Sequence, residues 1–384
     1  MRILVLIHEF PPIGGGGGQV AKDICQELVK LGHEIILITA HTKGQLRKEV
    51  IGGIQIIRQP SFRRHAAMAD LLAMGAYILF SLYPALRLVR HWKPDLIHVH
   101  FAVPAGALAW IISRLTGIPY LLTVHLGDIP GGVPEKTENW FRWFYPFTPA
   151  IWRDAARVVA VSNYTRGLAA KFYPVAVRVI HNGVDLERLN PGAIQVGSPP
   201  TIVFAGRFVP QKNPVQIVHI LSGLKDLPWH CVMLGDGPLR EDVISLIEEY
   251  GLQNRFTIPG WVHPDEVLGW FARSDILFHP SLSEGLPVVG VQALAMGLAI
   301  VASRVGGYTE IVETDHNGYL FSPNDAAGMQ DSLERLLSDP TLLKRFRVTS
   351  RHKAGSFDLS KIVTEYTEVI SKILQDKQKN RDQH

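Results

Sequence analysis

Residues 275–303, DILFHPSLSEGLPVVGVQALAMGLAIVAS, read as strand, turn, helix and strand. The apolar runs DILFHP and AIVAS are short and bounded by Pro, Ser and Gly, as buried strands are. Between them Pro287 suits a helix start, because its φ is fixed and it has no N–H to leave unpaired. A helix over 287–296 then joins two strands, which is the unit of a parallel sheet. The free N–H groups of Val288, Val289 and Gly290 and the positive dipole end make this helix start a place for phosphate. Glu284, just before the turn, would repel a phosphate but can accept hydrogen bonds from the hydroxyls of a sugar attached to it. Eight residues after Glu284 stands Gln292.

Outward from this segment the same alternation continues. The second half runs TIVFAG, a helix over 215–221, HCVMLG, a helix over 239–250, FTI, a helix over 265–273, then the quoted segment and GYLFS. The first half runs RILVLIH, a helix over 19–31, EIILITA, IQIIR, a long apolar helical region, DLIHVH, a helix over 105–115, PYLLTVH and RVVAVS. Short β-rich runs alternating with helices predict an α/β fold of two Rossmann-like, doubly wound parallel-sheet domains in tandem. The Gly/Pro-rich, nearly uncharged stretch 191–200 is the expected linker, with domains over 1–190 and 201–357. An amphipathic helix follows over 358–376, and the polar residues 377–384 read as a frayed tail.

Composition narrows the class. The chain has 384 residues, 47% hydrophobic and 19% charged, enough for real cores. Two cysteines, Cys25 and Cys231, lie too far apart for metal-ligand spacing and read as buried thiols of a reducing compartment. The start, Met1-Arg2 and then ILVLI, is too short for a secretory signal and reads as a first strand. Net charge is +4, but 21 Lys/Arg against 13 Asp/Glu before residue 191 and 18 against 22 after it give +8 and −4.

Open α/β sheets bind ligands at the carboxyl ends of their strands. The first such loop holds Gly14–Gly18, which lets a backbone approach a pyrophosphate or else forms a flexible linker. A dehydrogenase would need an acid after the second strand, and EIILITAHTK offers only Thr39 and His41. In TIVFAGRFVPQKNP, Arg207 and Lys212 can neutralise a diphosphate, one as a planar fork and the other as a compact charge. No D-x-D pair stands at a strand end, so no metal is expected. His125 ends the strand PYLLTVH, where it reads either as a structural histidine or as a ligand to a hydroxyl; Asp128 follows it.

The segment Glu284 to Gln292 resembles the E-x7-E motif of retaining glycosyltransferases of family 4, with Gln in place of the second Glu. The resemblance implies the GT-B architecture: two Rossmann-like domains facing a cleft, with the C-terminal helix crossing back to the first domain. It extends to G-R-x4-K at Arg207 and Lys212, to the pair Gly15 and Gly16, to His125, to N-G-V-D at 182–185 and to G-G-x-x-E ending at Glu310. By this similarity Glu284 orients the donor sugar and His125 faces it. Gly15, Gly16, Arg207, Lys212, Val288 and Val289 hold the phosphates. Gln292 contacts ribose, and Val262 belongs to a loop lining the base, although Trp261 beside it reads as a core residue. Asp128, Asn182 and Glu310 are further candidates. The family is metal-independent and needs no cofactor beyond its nucleotide-sugar co-substrate.

Two regions concern the acceptor. Arg58, Arg63, Arg64, His65, Arg87, Arg90, His91 and Lys93 flank the apolar stretch 71–86, which at sixteen uncharged residues interrupted by Pro84 falls short of a membrane span. It reads as a core helix or as a contact with an anionic membrane over 58–93. Without interleaved aromatic residues it is no nucleic-acid platform. The aromatic-rich segment 129–152 is long for a connection, and Trp140, Trp143 or Tyr145 can stack on a sugar or pack against the domain. The expected function is transfer of a sugar from a UDP- or GDP-type nucleotide to a hydroxyl acceptor, which can be lipid-linked, in cell-envelope polysaccharide or glycolipid synthesis. The expected place is the cytoplasm, at the inner face of the membrane. A non-catalytic sugar-nucleotide-binding subunit, motivated by Gln292, and a sugar-nucleotide epimerase are the rivals.

Overall fold

A computed structural model of the chain describes residues 1–63, 70–133 and 145–382, so Arg64, His65, Trp140 and Trp143 lie outside the described residues. The chain forms two compact units, Met1–Asn182 with Leu359–His384, and Gly183–Asp358.

Unit 1 holds the strands β1 (Arg2–Leu6), β2 (Glu34–His41), β3 (Lys48–Ile51), β4 (Ile54–Pro60), β5 (Leu96–His100), β6 (Tyr120–Val124), β7 (Arg157–Ala160) and β8 (Val177–Val179) in one sheet of order β3-β4-β2-β1-β5-β6-β7-β8. All pairs are parallel except β3 with β4. Every residue of β5 and β6 is buried, which is why LIHVH and YLLTV read as continuous runs rather than alternating ones. The edge strands β3 and β8 are short and half-exposed, and their sequences carry no apolar run that would announce them. The helices are α1 (Gly16–Lys30), α2 (Leu71–Trp92), α3 (Ala107–Thr116), α4 (Thr148–Arg153) and α5 (Asn163–Ala169).

Unit 2 holds β9 (Thr201–Ala205), β10 (His230–Leu234), β11 (Phe256–Gly260), β12 (Ile276–His279), β13 (Ala299–Ser303) and β14 (Gly318–Phe321), all parallel, in the order β11-β10-β9-β12-β13-β14. Its helices are α6 (Pro214–Ser222), α7 (Arg240–Glu249), α8 (Pro264–Phe271), α9 (Val288–Ala295), α10 (Tyr308–Ile311), α11 (Ala326–Ser338) and α12 (Pro340–Lys353). The last helix, α13 (Leu359–Asp382), belongs to unit 1, as the resemblance implied. It buries Ile362, Val363, Tyr366, Val369, Ile370 and Ile373, a stripe at helical spacing. Helix continues through 377–382, where a frayed tail was expected.

The change of unit falls between Asn182 and Gly183, earlier than the expected 190, for a long-range reason. Arg351 on α12 donates to the carbonyls of Leu189 (2.8 Å) and Ala295 (2.7 Å), and Arg347 donates to those of Gln195 (2.6 Å) and Gly297 (2.8 Å). Arg347 also pairs with buried Asp275, which accepts from the N–H groups of Gly197 (3.1 Å) and Thr201 (2.7 Å). The stretch that composition marks as a free linker is therefore bound to unit 2 by charges far away in sequence.

α2 differs from its expected reading. It runs 22 residues without interruption through Pro84, long and apolar enough by length and composition to cross a membrane. Its buried residues Ala73, Ala76, Tyr77, Ser81 and Ala85 nonetheless form one stripe at helical spacing, and the Tyr77 hydroxyl donates to the carbonyl of Ile38 at 3.1 Å. The opposite side exposes Leu71, Leu72, Leu79, Phe80 and Tyr83, Leu79 at 69% and Tyr83 at 73%. Tyr145 packs against Phe172 and Tyr173, with its hydroxyl 3.4 Å from the Phe172 carbonyl oxygen.

In each sheet the strand order reverses at one place, between β1 and β5 in unit 1 and between β9 and β12 in unit 2. At such switch points the loops leaving neighbouring strands diverge, and ligands bind at the strands' carboxyl ends.

Candidate active site

At the unit 2 switch point the loops after β9 and β12 are laced together. The Gln211 side chain donates to the carbonyl of Ser283 (2.9 Å), and the Leu282 N–H donates to the carbonyl of Gln211 (2.8 Å). This places Lys212, the end of a tight turn over Pro210–Lys212, against Glu284: Nζ donates to Oε1 at 2.5 Å. The two side chains are only 16% and 7% exposed. Burial alone would raise the Glu284 pKa, but Lys212, His279 and the Ser281 hydroxyl outweigh it and hold the carboxylate below its usual range. The carboxylate expected to accept hydrogen bonds from sugar hydroxyls is here ion-paired with Lys212.

His279, the last residue of β12, completes the cluster. Its Nδ1 is hydrogen-bonded to the Tyr308 hydroxyl (2.7 Å), stands 3.1 Å from Ser281 Oγ and lies 3.6 Å from Glu284 Oε1. Burial, then the charge of Lys212, pushes its pKa down to about 3, so the imidazole is neutral. Its Nε2 faces the Ala205–Gly206 backbone. The pair Gly306-Gly307 presses on this loop. A Cβ on Gly306, at φ +53°, would lie 1.6 Å from the Glu284 carbonyl oxygen, and the Gly307 N–H donates to the carbonyl of Gly285 at 2.6 Å. From α10 it is Tyr308 that reaches the cluster; Glu310 sits two residues on, half-buried.

α9 begins one residue later than expected. Pro287 has ψ of 116° and is the cap; its carbonyl accepts from the N–H groups of Gly290 (3.0 Å) and Val291 (3.1 Å). Gly290 is therefore not a free donor, while Val288 and Val289 are in the first turn, where the helix offers no acceptor. Gln292 is half-buried one turn after Val288, on the same side of the helix. Arg207, just after β9, is half-buried, and among the described residues its guanidinium has no hydrogen-bond or ion-pair partner. Val262 is half-buried beyond β11, and Trp261, expected in the core, is 64% exposed.

The unit 1 switch point is built on different chemistry. The glycine run is no flexible linker. Gly14 takes φ +94°, Gly15 caps α1, and Gly16–Gly18 form its first turn. A Cβ on Gly17 would stand 2.5 Å from the Phe101 ring and one on Gly18 2.7 Å from the Glu9 carbonyl oxygen. Arg63 braces this loop through His8 O (3.3 Å) and Glu9 (3.2 Å), and Arg58 through Pro11 O (3.3 Å) and an ion pair with Glu49. Both side chains are almost fully buried, so neither is a membrane contact as expected.

His125 follows β6 and lies against Phe101, with ring centroids 4.4 Å apart. Phe101 has φ +74°, a strained value for a bulky residue. Asp128 holds both strand ends, accepting from the N–H of Ala102 on one oxygen (2.8 Å) and from that of His125 on the other (2.8 Å). It thus fixes the backbone of His125 rather than its ring. Burial pushes the Asp128 carboxyl up to about 7 against the pull of these donors. Behind His125 lie His100, stacked at 5.9 Å, and His98, whose Nε2 is 3.0 Å from Thr123 Oγ1. Thr123 in turn meets the Tyr366 hydroxyl of α13 at 3.4 Å. Burial pushes His98 down to about 3 and His125 to about 4, and His100 well below its ordinary value. Among the described residues, both ring nitrogens of His100, Nδ1 of His98 and Nε2 of His125 are enclosed without a hydrogen-bond partner. Asn182, buried, ends the unit.

The sequence reading did not single out His279, Ser281, Tyr308, Gln211, Glu9, Phe101, His98 or His100. The available signal was position: apart from His98, in the middle of β5, and Tyr308, which opens α10, each lies at or just beyond a strand's carboxyl end or on a loop facing one.

The model of Glycosyltransferase Family 4 matches residues 14–188, and that of Glycosyl transferases group 1 matches residues 192–353. The chain belongs to glycosyltransferase family 4. This glycosyltransferase is 25% identical to an uncharacterized glycosyltransferase of Methanocaldococcus jannaschii over 94% of its own length and 96% of the relative's. It is 28% identical to a UDP-Gal:alpha-D-GlcNAc-diphosphoundecaprenol alpha-1,3-galactosyltransferase of Escherichia coli, covering 69% of this chain and 71% of that one. Its fold matches sucrose-phosphate synthase from Thermosynechococcus elongatus with a TM-score of 0.86 at 18% identity, over 98% of this chain and all of that one. The fold is GT-B, and the enzyme transfers a sugar to an acceptor.

Proposed function

We propose that this enzyme moves a sugar, with retention of anomeric configuration and without a metal, from a UDP- or GDP-type nucleotide sugar to a hydroxyl of a lipid-linked acceptor in cell-envelope polysaccharide or glycolipid synthesis. The observation that carries the donor assignment is the buried Lys212–Glu284 pair at the unit 2 switch point, beside Arg207 and the start of α9. A cation, a guanidinium and two helix amides suit a diphosphate, and a carboxylate among them suits sugar hydroxyls. As the bond from anomeric carbon to diphosphate breaks, Arg207, Lys212 and the Val288 and Val289 amides stabilise the departing charge. The acceptor oxygen attacks on the same face and its proton passes to the departing phosphate, so no protein nucleophile is required. Gln292 contacts ribose and Val262 the base side. In unit 1, His125 faces the sugar, Gly15 and Gly16 the distal phosphate, and Asp128 keeps His125 in place. Asn182 and Glu310 stand as supporting residues.

For the acceptor, the exposed apolar face of α2 is followed by exposed Arg87, Arg90, His91 and Lys93. Unit 1 carries 25 Lys/Arg against 15 Asp/Glu, unit 2 14 against 20. Apolar contact with a basic rim suits an anionic leaflet, which supports a peripheral position at the cytoplasmic face of the membrane. The name of the Escherichia coli relative supports a UDP donor and a lipid acceptor.

Purified enzyme given UDP-glucose, UDP-galactose or GDP-mannose and a polyprenyl-diphosphate-linked sugar should form an α-glycoside in EDTA. Donor converted without acceptor would favour an epimerase, no turnover of any donor a binding subunit, and loss of rate in EDTA a metal enzyme.

A further inference from the structure

We infer that the Lys212–Glu284 pair is a latch by which the donor site prefers an intact nucleoside diphosphate sugar over the free nucleoside diphosphate. The inference rests on the donor-site reading given above and deepens it. Lys212 is the cation that reads the diphosphate, yet its ammonium donates to Glu284 at 2.5 Å, and both side chains are largely buried. Drawing Lys212 toward a phosphate leaves Glu284 buried without its counter-charge, which is strongly unfavourable.

The neighbours cannot make good that loss. His279 is the nearest other basic group, 3.6 Å from the same oxygen, but its Nδ1 is already engaged with the Tyr308 hydroxyl at 2.7 Å. Its burial beside Lys212 keeps it uncharged. Ser281 supplies one neutral hydrogen bond to the carboxylate. A free diphosphate therefore separates the pair and offers nothing to Glu284. With a sugar attached, hydroxyls reach Glu284 as Lys212 turns to phosphate, and both charges remain satisfied. Sugar and diphosphate thus bind cooperatively although each faces a different side chain. Once the sugar has left, Glu284 reclaims Lys212, and the spent diphosphate is released. Arg207, which has no partner among the described residues, grips diphosphate alike in both cases.

The experiment is a calorimetric titration of UDP and UDP-glucose, with GDP and GDP-mannose as the alternate pair, into wild type, Glu284→Gln, Lys212→Gln and the double variant. The latch predicts that Glu284→Gln binds the free diphosphate about tenfold more tightly than wild type, the scale of one charge-assisted hydrogen bond. It also predicts that the preference for the nucleotide sugar shrinks by at least that factor, and that the gain disappears when Lys212 is already Gln. An unchanged or weaker diphosphate affinity in Glu284→Gln overturns it. So does a gain that persists without Lys212, which is simple charge repulsion. If Glu284→Gln is unfolded by circular dichroism, Tyr308→Phe takes its place: releasing Nδ1 of His279 from Tyr308 so that it can donate to Glu284 should tighten free diphosphate about threefold, and no tightening overturns the latch. Wild type that binds neither nucleotide sugar sinks the donor-site reading itself, whereas binding without these shifts sinks only the latch.

Discussion

Unit 1 and unit 2 both bury polar groups at or beside their switch points and treat them differently. Behind the carboxyl ends of β5 and β6 lie His98, His100 and His125, held neutral, with four ring nitrogens that find no hydrogen-bond partner among the described residues, as Nε2 of His279 finds none in unit 2. At the ends of β9 and β12 lies a charged pair, Lys212 and Glu284, with a neutral His279 bonded to Tyr308. A low-dielectric floor that keeps its charges does so only because they are paired, and such a pair can be exchanged for a charged ligand. A neutral imidazole layer offers hydrogen bonds without charge, which suits hydroxyl groups. One architecture thus gives a charged face and an uncharged face, and the difference lies in which residues end the strands.

The contrast breaks most visibly at Glu284. Glu284→Ala leaves Lys212 buried and alone, and kcat/KM for transfer should fall at least about 10³-fold, an effect on the scale of losing a major electrostatic contact. Arg207→Ala should come close to it, and wild-type rates in either variant would remove the donor site from unit 2. Asp128→Asn strikes the uncharged floor instead. An amide can accept only one of the two N–H groups that the carboxylate holds, so stability should drop by about 1–3 kcal/mol in denaturant melts, and kcat should fall while the donor KM stays within about twofold.

Acid should separate the units more gently. The folded pKa values of His98, His100 and His125 lie below the unfolded value of about 6.5, so the unfolded chain binds more protons as pH falls from about 6.5 towards 4. Their contribution is fully present above pH 6.5 and is lost on acidification. Asp128, pushed up to about 7, acts in the opposite direction between about pH 4 and 7. Three against one leaves about two protons for this floor, whereas the floor of unit 2 has His279 alone, at about 1.4 kcal/mol per proton per pH unit. Hydrogen exchange at pH 5 and pH 7, corrected for intrinsic rate, should show β5 and β6 losing more protection than β12 and β13; equal losses would erase the contrast. The smallest effect is expected at Gln292→Glu, which should lower the donor KM several-fold, since a charged hydrogen bond exceeds a neutral one by about 1 kcal/mol, and raise kcat less. An unchanged KM would take the ribose contact away from Gln292.

Much of this was readable from the chain. Strand–helix alternation is a local pattern, since a strand buried on both faces is mostly apolar, and LIHVH, YLLTV and AIVAS are, with His98, His100, Thr123 and Ser303 as their polar exceptions. Arg207, Lys212, His125 and Glu284 were found because they sit at strand ends in Gly- and Pro-bounded loops. Arg58 and Arg63 misled because basic residues beside an apolar stretch look alike whether they face solvent or brace a loop. Trp261 misled because a large apolar residue need not be inside.

By itself the sequence determined two parallel α/β units, the strand ends that carry chemistry and a family resemblance, because periodicity and turn chemistry act over a few residues. Only the tertiary structure decided that Lys212 meets Glu284 across 72 positions, that the Tyr308 hydroxyl meets His279, that Gly306 and Gly307 press on the Glu284 loop, and that Arg347 and Arg351 bind the linker to unit 2. Each of these is a pairing across the fold. Buried charges and donors must find partners wherever the chain brings them, and that choice depends on which strands lie side by side rather than on neighbours in sequence.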